Sequence, residues 1–136
     1  MTFLVERLTE LRRHVDHLGA IAPRVQNRAS LERDLSLHND VLFSLLMVAQ
    51  LVIDIAGELS ARRGDRFEDY TEAIRNLSRD SRFPADLIES LETIPGFRNV
   101  VIHEYVALDL DRVVTAVRSL DPVRRFIQIV SQLESE

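Results

Sequence analysis

One ten-residue stretch holds the side chains best suited to chemistry: Gly96-Phe97-Arg98-Asn99-Val100-Val101-Ile102-His103-Glu104-Tyr105. Read as a helix at about 100° per residue, Asn99 and His103 lie one turn apart on one side. Arg98 and Tyr105, seven apart, fall within about 20° of each other. Arg98 and His103 differ by about 140° and do not stack, but the long arginine can reach a group that His103 holds in a groove beside the helix. Such a pair suits cleavage of an RNA phosphodiester, which carries its own nucleophile in the 2′-hydroxyl. A histidine takes or gives the proton near neutral pH. An arginine binds the charge that develops on the phosphorus oxygens through two parallel hydrogen bonds. The scheme calls for no metal and no cofactor. Periodicity alone leaves the plain alternatives open: a histidine that serves packing, and a tyrosine that is a core aromatic at the end of its helix.

Other polar residues carry weaker signals. Asp54 lies in an apolar stretch and is costly to bury without a partner. It is expected to pair with an arginine, either Arg98, which it would orient, or another in a structural role. His14 and His17 are three apart on one helix face. No third ligand stands at metal spacing, so they read as a surface pair. His38 falls on the stripe of a long helix and reads as a packing or dimer contact. Asp109 and Asp111 resemble a metal pair, but helix capping explains them better. Arg62-Arg63 with Arg66, and Arg124-Arg125, read as solvated helix ends or as local phosphate contacts.

The elements that must position these residues are helical. Leu4, Leu8, Leu11, Val15, Leu18 and Ala22 form one stripe that ends near Pro23. Ser30 is a candidate cap for a second helix from Leu31 to about Arg62, stopped by Gly64. Its middle, Val41 to Ile55, is apolar on more than one face and must be covered on several sides. Residues 64–69 read as a loop, and Tyr70 to Leu77 as a short helix with Tyr70, Ala73, Ile74 and Leu77 inward. Pro84 suits the first turn of a helix to about Thr93. After Pro95-Gly96 the pattern resumes from Phe97 to Tyr105. Asp109 caps the last helix, whose stripe is Leu110, Val113, Val117 and Leu120, and Pro122 kinks or restarts it. Phe126, Ile127, Val130 and Leu133 continue the face. The expected fold is all-α: an antiparallel bundle of four long helices and one short one.

The 136 residues suffice for one domain, taken as 1–136, with a core that needs no staples. With no cysteine there is no disulfide, thiolate metal site or cysteine nucleophile. The formal charge of −5 argues against nucleic-acid binding by bulk charge. All 17 basic residues are arginine, whose planar fork suits phosphates and carboxylates. The run from Val41 to Ile55 is interrupted by Ser44, Gln50 and Asp54 and is expected not to span a bilayer. No signal peptide is evident, and a cytoplasmic location is expected.

The Arg-Asn-x-x-x-His-x-Tyr pattern after Gly-Phe resembles the motif of the HEPN superfamily. The tyrosine two residues after the histidine is similar to the HepT-like toxin branch. Gln50-Leu-Val-Ile-Asp-Ile-Ala56 resembles that family's second-helix signature. Phe67-Glu-Asp-Tyr-Thr-Glu-Ala73, the short helix that follows it and Leu108-Asp-Leu-Asp also fit, so the likeness runs roughly from Leu31 to Val130. It implies a metal-independent endoribonuclease toxin of a type VII toxin–antitoxin pair, acting on RNA (tRNA or mRNA) as a homodimer whose two motifs face a shared cleft. Arg98 and His103 would be the catalytic pair, with Asn99 orienting the site. Tyr105 would be the tyrosine AMPylated by a cognate minimal nucleotidyltransferase (MntA-like) antitoxin. The sequence has no Gly-rich phosphate loop and no nucleotidyltransferase signature, so the chain would be the modified partner. The competing expectation is a non-catalytic helical module that binds a nucleotidyltransferase partner or a nucleotide.

Overall fold

The computed structural model describes residues 2–136. Among these the chain forms α1 (Phe3–Ile21), α2 (Arg28–Glu32), α3 (Leu35–Arg62), α4 (Tyr70–Asn76), α5 (Ala85–Leu91), α6 (Ile94–His103), α7 (Leu110–Arg118) and α8 (Asp121–Glu134), joined by short 3-10 turns and loops, with no strand. The all-α bundle expected from periodicity is what forms. In α1, Leu4, Leu8, Leu11, Val15 and Leu18 are all buried. Thr2 caps that helix by accepting from the Val5 amide, and Pro23 sits in the 3-10 turn that ends it.

The 28 residues of α3 give a rod of about 42 Å that the other helices surround. His14 meets Ser44 and His17 meets Asp40, so α1 runs antiparallel to α3. Arg12 meets Ser131, and Gly19 lies beside Arg124, so α8 is antiparallel to α1. By length and composition α3 is apolar enough to cross a membrane, which the run from Val41 to Ile55 did not suggest; 56% of its most apolar 18-residue window is buried within the bundle. Its several apolar faces are met by α1, α2, α4, α6 and α7. The helix ends where Gly64 adopts φ 74°, a left-handed conformation that side chains with a Cβ resist.

The second helix differs from expectation. It is broken at Asp34, whose backbone is extended (φ −132°, ψ 95°). Asp34 accepts from the Leu37 amide at 3.0 Å and caps α3, while Asn27 caps the separate α2. Short polar side chains compete with helical backbone bonds, so Asp34 starts a helix better than it continues one. Ser30 is buried inside α2 and is no cap.

Further along, Asp69 caps α4 and Asp109 caps α7, each by accepting from an amide two or three residues on. Ala73, Ile74 and Leu77 point inward as expected, but Tyr70 is 41% exposed. Pro122 restarts the chain as α8 in the first turn, where its missing N–H is not needed. Phe126 is fully buried, with its ring 6.2 Å from that of Phe83.

Candidate functional site

Helix α6 carries the site. It begins at Ile94, with Pro95 inside its first turn, and so starts earlier than the Pro-Gly pair implies. Phe97 packs toward the core and Val101 is buried, which fixes the helix rotation. That rotation leaves Arg98 half-buried and Asn99, Ile102 and His103 exposed. The helix stops at His103, because Glu104 leaves helical geometry (φ −130°, ψ 36°). Tyr105 therefore belongs to a 3-10 turn, Tyr105–Ala107, and the shared helical face with Arg98 inferred from spacing does not form.

Arg98 is held by amides. Its Nη1 donates to Gln50 Oε1 at 3.0 Å, and its Nη2 donates to Asn99 Oδ1 at 2.9 Å. Gln50 in turn donates from Nε2 to Asp54 Oδ1 at 2.8 Å, so Asp54 reaches Arg98 through one intermediary. The direct Asp54–Arg98 ion pair offered by the sequence is absent among the described residues. The guanidinium also lies 5.3 Å from the Tyr70 ring centroid, within cation–π range. Its Nε is buried without a hydrogen-bond partner. Both hydrogen-bonding neighbours are neutral, so the guanidinium is oriented without a carboxylate in contact to cancel its charge. The chemistry this permits is anion binding.

Sequence reasoning missed Gln50 and Tyr70. Gln50 interrupts an apolar stretch four residues before Asp54, and that spacing was the available signal. Tyr70 was assigned to the core.

His103 stands in the last turn of α6, exposed and without a hydrogen bond among the described residues. Tyr105 is 49% exposed, with its hydroxyl 3.4 Å from His38 Nδ1 and its ring edge-on to that imidazole at 5.9 Å. The contacts Arg98–Gln50 and Tyr105–His38 run α6 and the turn after it antiparallel to α3. Ile102 and Val106, next to His103 and Tyr105 in the chain, are exposed, Val106 fully; on α3, Leu35 and Phe43 are exposed as well, Phe43 with its ring 5.9 Å from that of His14.

The remaining candidates lie elsewhere. His14 and His17 turn to separate partners, Ser44 and Asp40. Asp111 pairs with Arg28. Arg62 pairs with Glu58 and Glu134, and its pKa is raised, chiefly by the hydrogen bond to Glu134. Arg63 pairs with Asp80, Arg124 with Asp121 and Arg125 with Asp86, so these basic clusters are largely matched by acids. A cavity of about 560 Å³, lined by Leu45, Val48, Phe97, Ala116, Leu120 and others, touches the start of α6 but contains neither Arg98 nor His103. Chemistry on a polymer backbone needs an open face rather than a deep hole, so the cavity does not displace α6 as the candidate site.

An all-helical bundle that presents an arginine and a histidine on one short helix against a long central one defines the class. The chain belongs to the ribonuclease HepT-like family, whose model matches residues 5–130. It is 24% identical over 104 residues to the mRNA nuclease HepT of Shewanella oneidensis, covering 75% of this chain and 78% of that one. The fold is that of a solved tri-AMPylated Shewanella oneidensis HEPN toxin in complex with MNT antitoxin, with a TM-score of 0.84 at 20% identity over 97% of this chain and 99% of that one. A toxin–antitoxin solved with AMP-PNP gives a TM-score of 0.82 at 19% identity, covering 95% and 97% of the two chains.

Proposed function

We propose that this protein is a metal-independent endoribonuclease toxin that cleaves RNA through Arg98 and His103, and that AMPylation of Tyr105 by a cognate minimal nucleotidyltransferase antitoxin neutralises it. The observation that carries the reading is the guanidinium of Arg98, fixed by Gln50 and Asn99 and left with its charge unmatched in contact. Such a group binds a phosphodiester and stabilises the charge that grows on its non-bridging oxygens. The exposed imidazole of His103 takes the proton of the ribose 2′-hydroxyl as that oxygen attacks phosphorus. The bond to the 5′-oxygen then breaks as that oxygen takes up a proton from solvent, leaving a 2′,3′-cyclic phosphate and a free 5′-hydroxyl.

The exposed apolar side chains of α3 (Leu35, Phe43) and at and just after the end of α6 (Ile102, Val106) support a homodimer that brings two copies of α6 to one cleft. Burying such a patch against its own copy is the ordinary way a symmetric dimer forms. An adenylate on Tyr105 would set a phosphate and a base in that cleft, where they compete with RNA for Arg98.

The test is RNA cleavage by the purified protein in excess EDTA, with tRNA and mRNA as separate substrates. The expected result is cleavage that leaves cyclic phosphate ends and is lost in Arg98→Ala. Intact RNA with both substrates, together with tight binding of a nucleotidyltransferase, would favour the non-catalytic interaction module instead.

A further inference from the structure

We infer that His38 is the general base that activates Tyr105 when the adenylyl group is transferred to it. This rests on the reading of Tyr105 as the modified residue. Tyrosine gives up its proton only near pH 10, so its hydroxyl is a weak nucleophile at neutral pH unless a neighbour accepts that proton. His38 is placed to do so. Its Nδ1 is 3.4 Å from the Tyr105 hydroxyl, and the two rings meet edge to face. Asn39 Oδ1 lies 3.2 Å from the same nitrogen, an acceptor to which Nδ1 donates once it has taken up the phenolic proton. Tyr105 remains 49% exposed, so a nucleoside triphosphate held by a second protein can reach it.

In the step, a lone pair of the Tyr105 oxygen forms a bond to the α-phosphorus. The bond from that phosphorus to the bridging oxygen breaks, and pyrophosphate leaves with those electrons. The phenolic proton passes to His38 Nδ1 and from there to solvent. His38 lies twelve residues before Gln50 on α3, so one helix serves both the guanidinium of the cleavage site and the hydroxyl that regulates it.

The experiment follows AMP addition by intact mass, with the full-length protein, its nucleotidyltransferase, ATP and Mg²⁺. Wild type, His38→Ala, His38→Gln and Tyr105→Phe are compared at saturating partner. Both His38 variants are expected to slow addition about 100-fold, with the KM for ATP and the affinity for the nucleotidyltransferase unchanged. Added imidazole should restore part of the rate to His38→Ala. Glutamine keeps a hydrogen-bonding group but is no base, so wild-type rates in His38→Gln would overturn the proposal while leaving Tyr105 as the modified residue. A defect confined to partner affinity would overturn it as well. If Tyr105→Phe is modified as fully as wild type, or wild type takes up no AMP, the reading of Tyr105 itself fails.

Discussion

Arg98 is oriented by carbonyl oxygens of two amides, and this choice of partner decides what the guanidinium is able to do. A carboxylate in place of Gln50 would hold the group equally well but compete with a phosphate for it. The two substitutions at this position therefore separate position from charge. Gln50→Ala is expected to lower RNA cleavage about 10-fold through loss of orientation. Gln50→Glu should lower it about 100-fold despite an intact side-chain contact, on the scale of losing a charge-stabilising group. Single-turnover cleavage assays with both variants check this order. Arg98, Asn99 and His103 were legible because they are close in sequence. Gln50 was not, because the Arg98–Gln50 contact spans 48 positions and depends on how α6 lies against α3. For Tyr70 a separation of 28 positions from Arg98 hid a cation–π contact behind a plausible core position.

At the scale of elements, period-3.6 apolar stripes made the helices readable, since burial of those stripes is what holds α1, α3, α7 and α8 together. Breaks were less readable, because they depend on which polar side chain wins the backbone amides. Asp34 does so at the start of α3 and Ser30 does not. Asp34→Ala is expected to destabilise the fold by about 1 kcal/mol, the usual worth of an N-cap, measured by urea unfolding.

The tie between α5 and α8 has a pH signature. The hydrogen bond from Arg125 holds the carboxyl of Asp86 below its ordinary value. A lowered carboxyl pKa contributes stability above the unfolded value of about 3.9 and loses it as pH falls through the folded one. Asp86→Asn should thus melt slightly below wild type at pH 7, by a small margin because the pair is exposed. The difference should vanish once the pH lies well below that lowered folded value. Thermal melts across that range test it.

At the scale of the whole molecule, a net charge of −5 and arginines largely paired with acids leave little general attraction for nucleic acid. The proposed substrate contact is therefore local, and the proposed dimer is what makes it a cleft. Val106 is fully exposed beside Tyr105. Val106→Glu is expected to shift the dimer toward monomer in analytical ultracentrifugation and to lower cleavage at least about 10-fold, since charge in the core of an apolar interface is strongly unfavourable. The apolar residues of this face were visible in the sequence, but which of them the fold would leave uncovered was not.

The central claim is that His103 moves the proton during metal-independent cleavage. Its most direct measurement is the cleavage rate of His103→Ala in EDTA, beside wild type of equal helicity and oligomeric state. A fall of about 100-fold or more is predicted, the scale of general acid–base catalysis. Cleavage at the wild-type rate by His103→Ala would contradict the account.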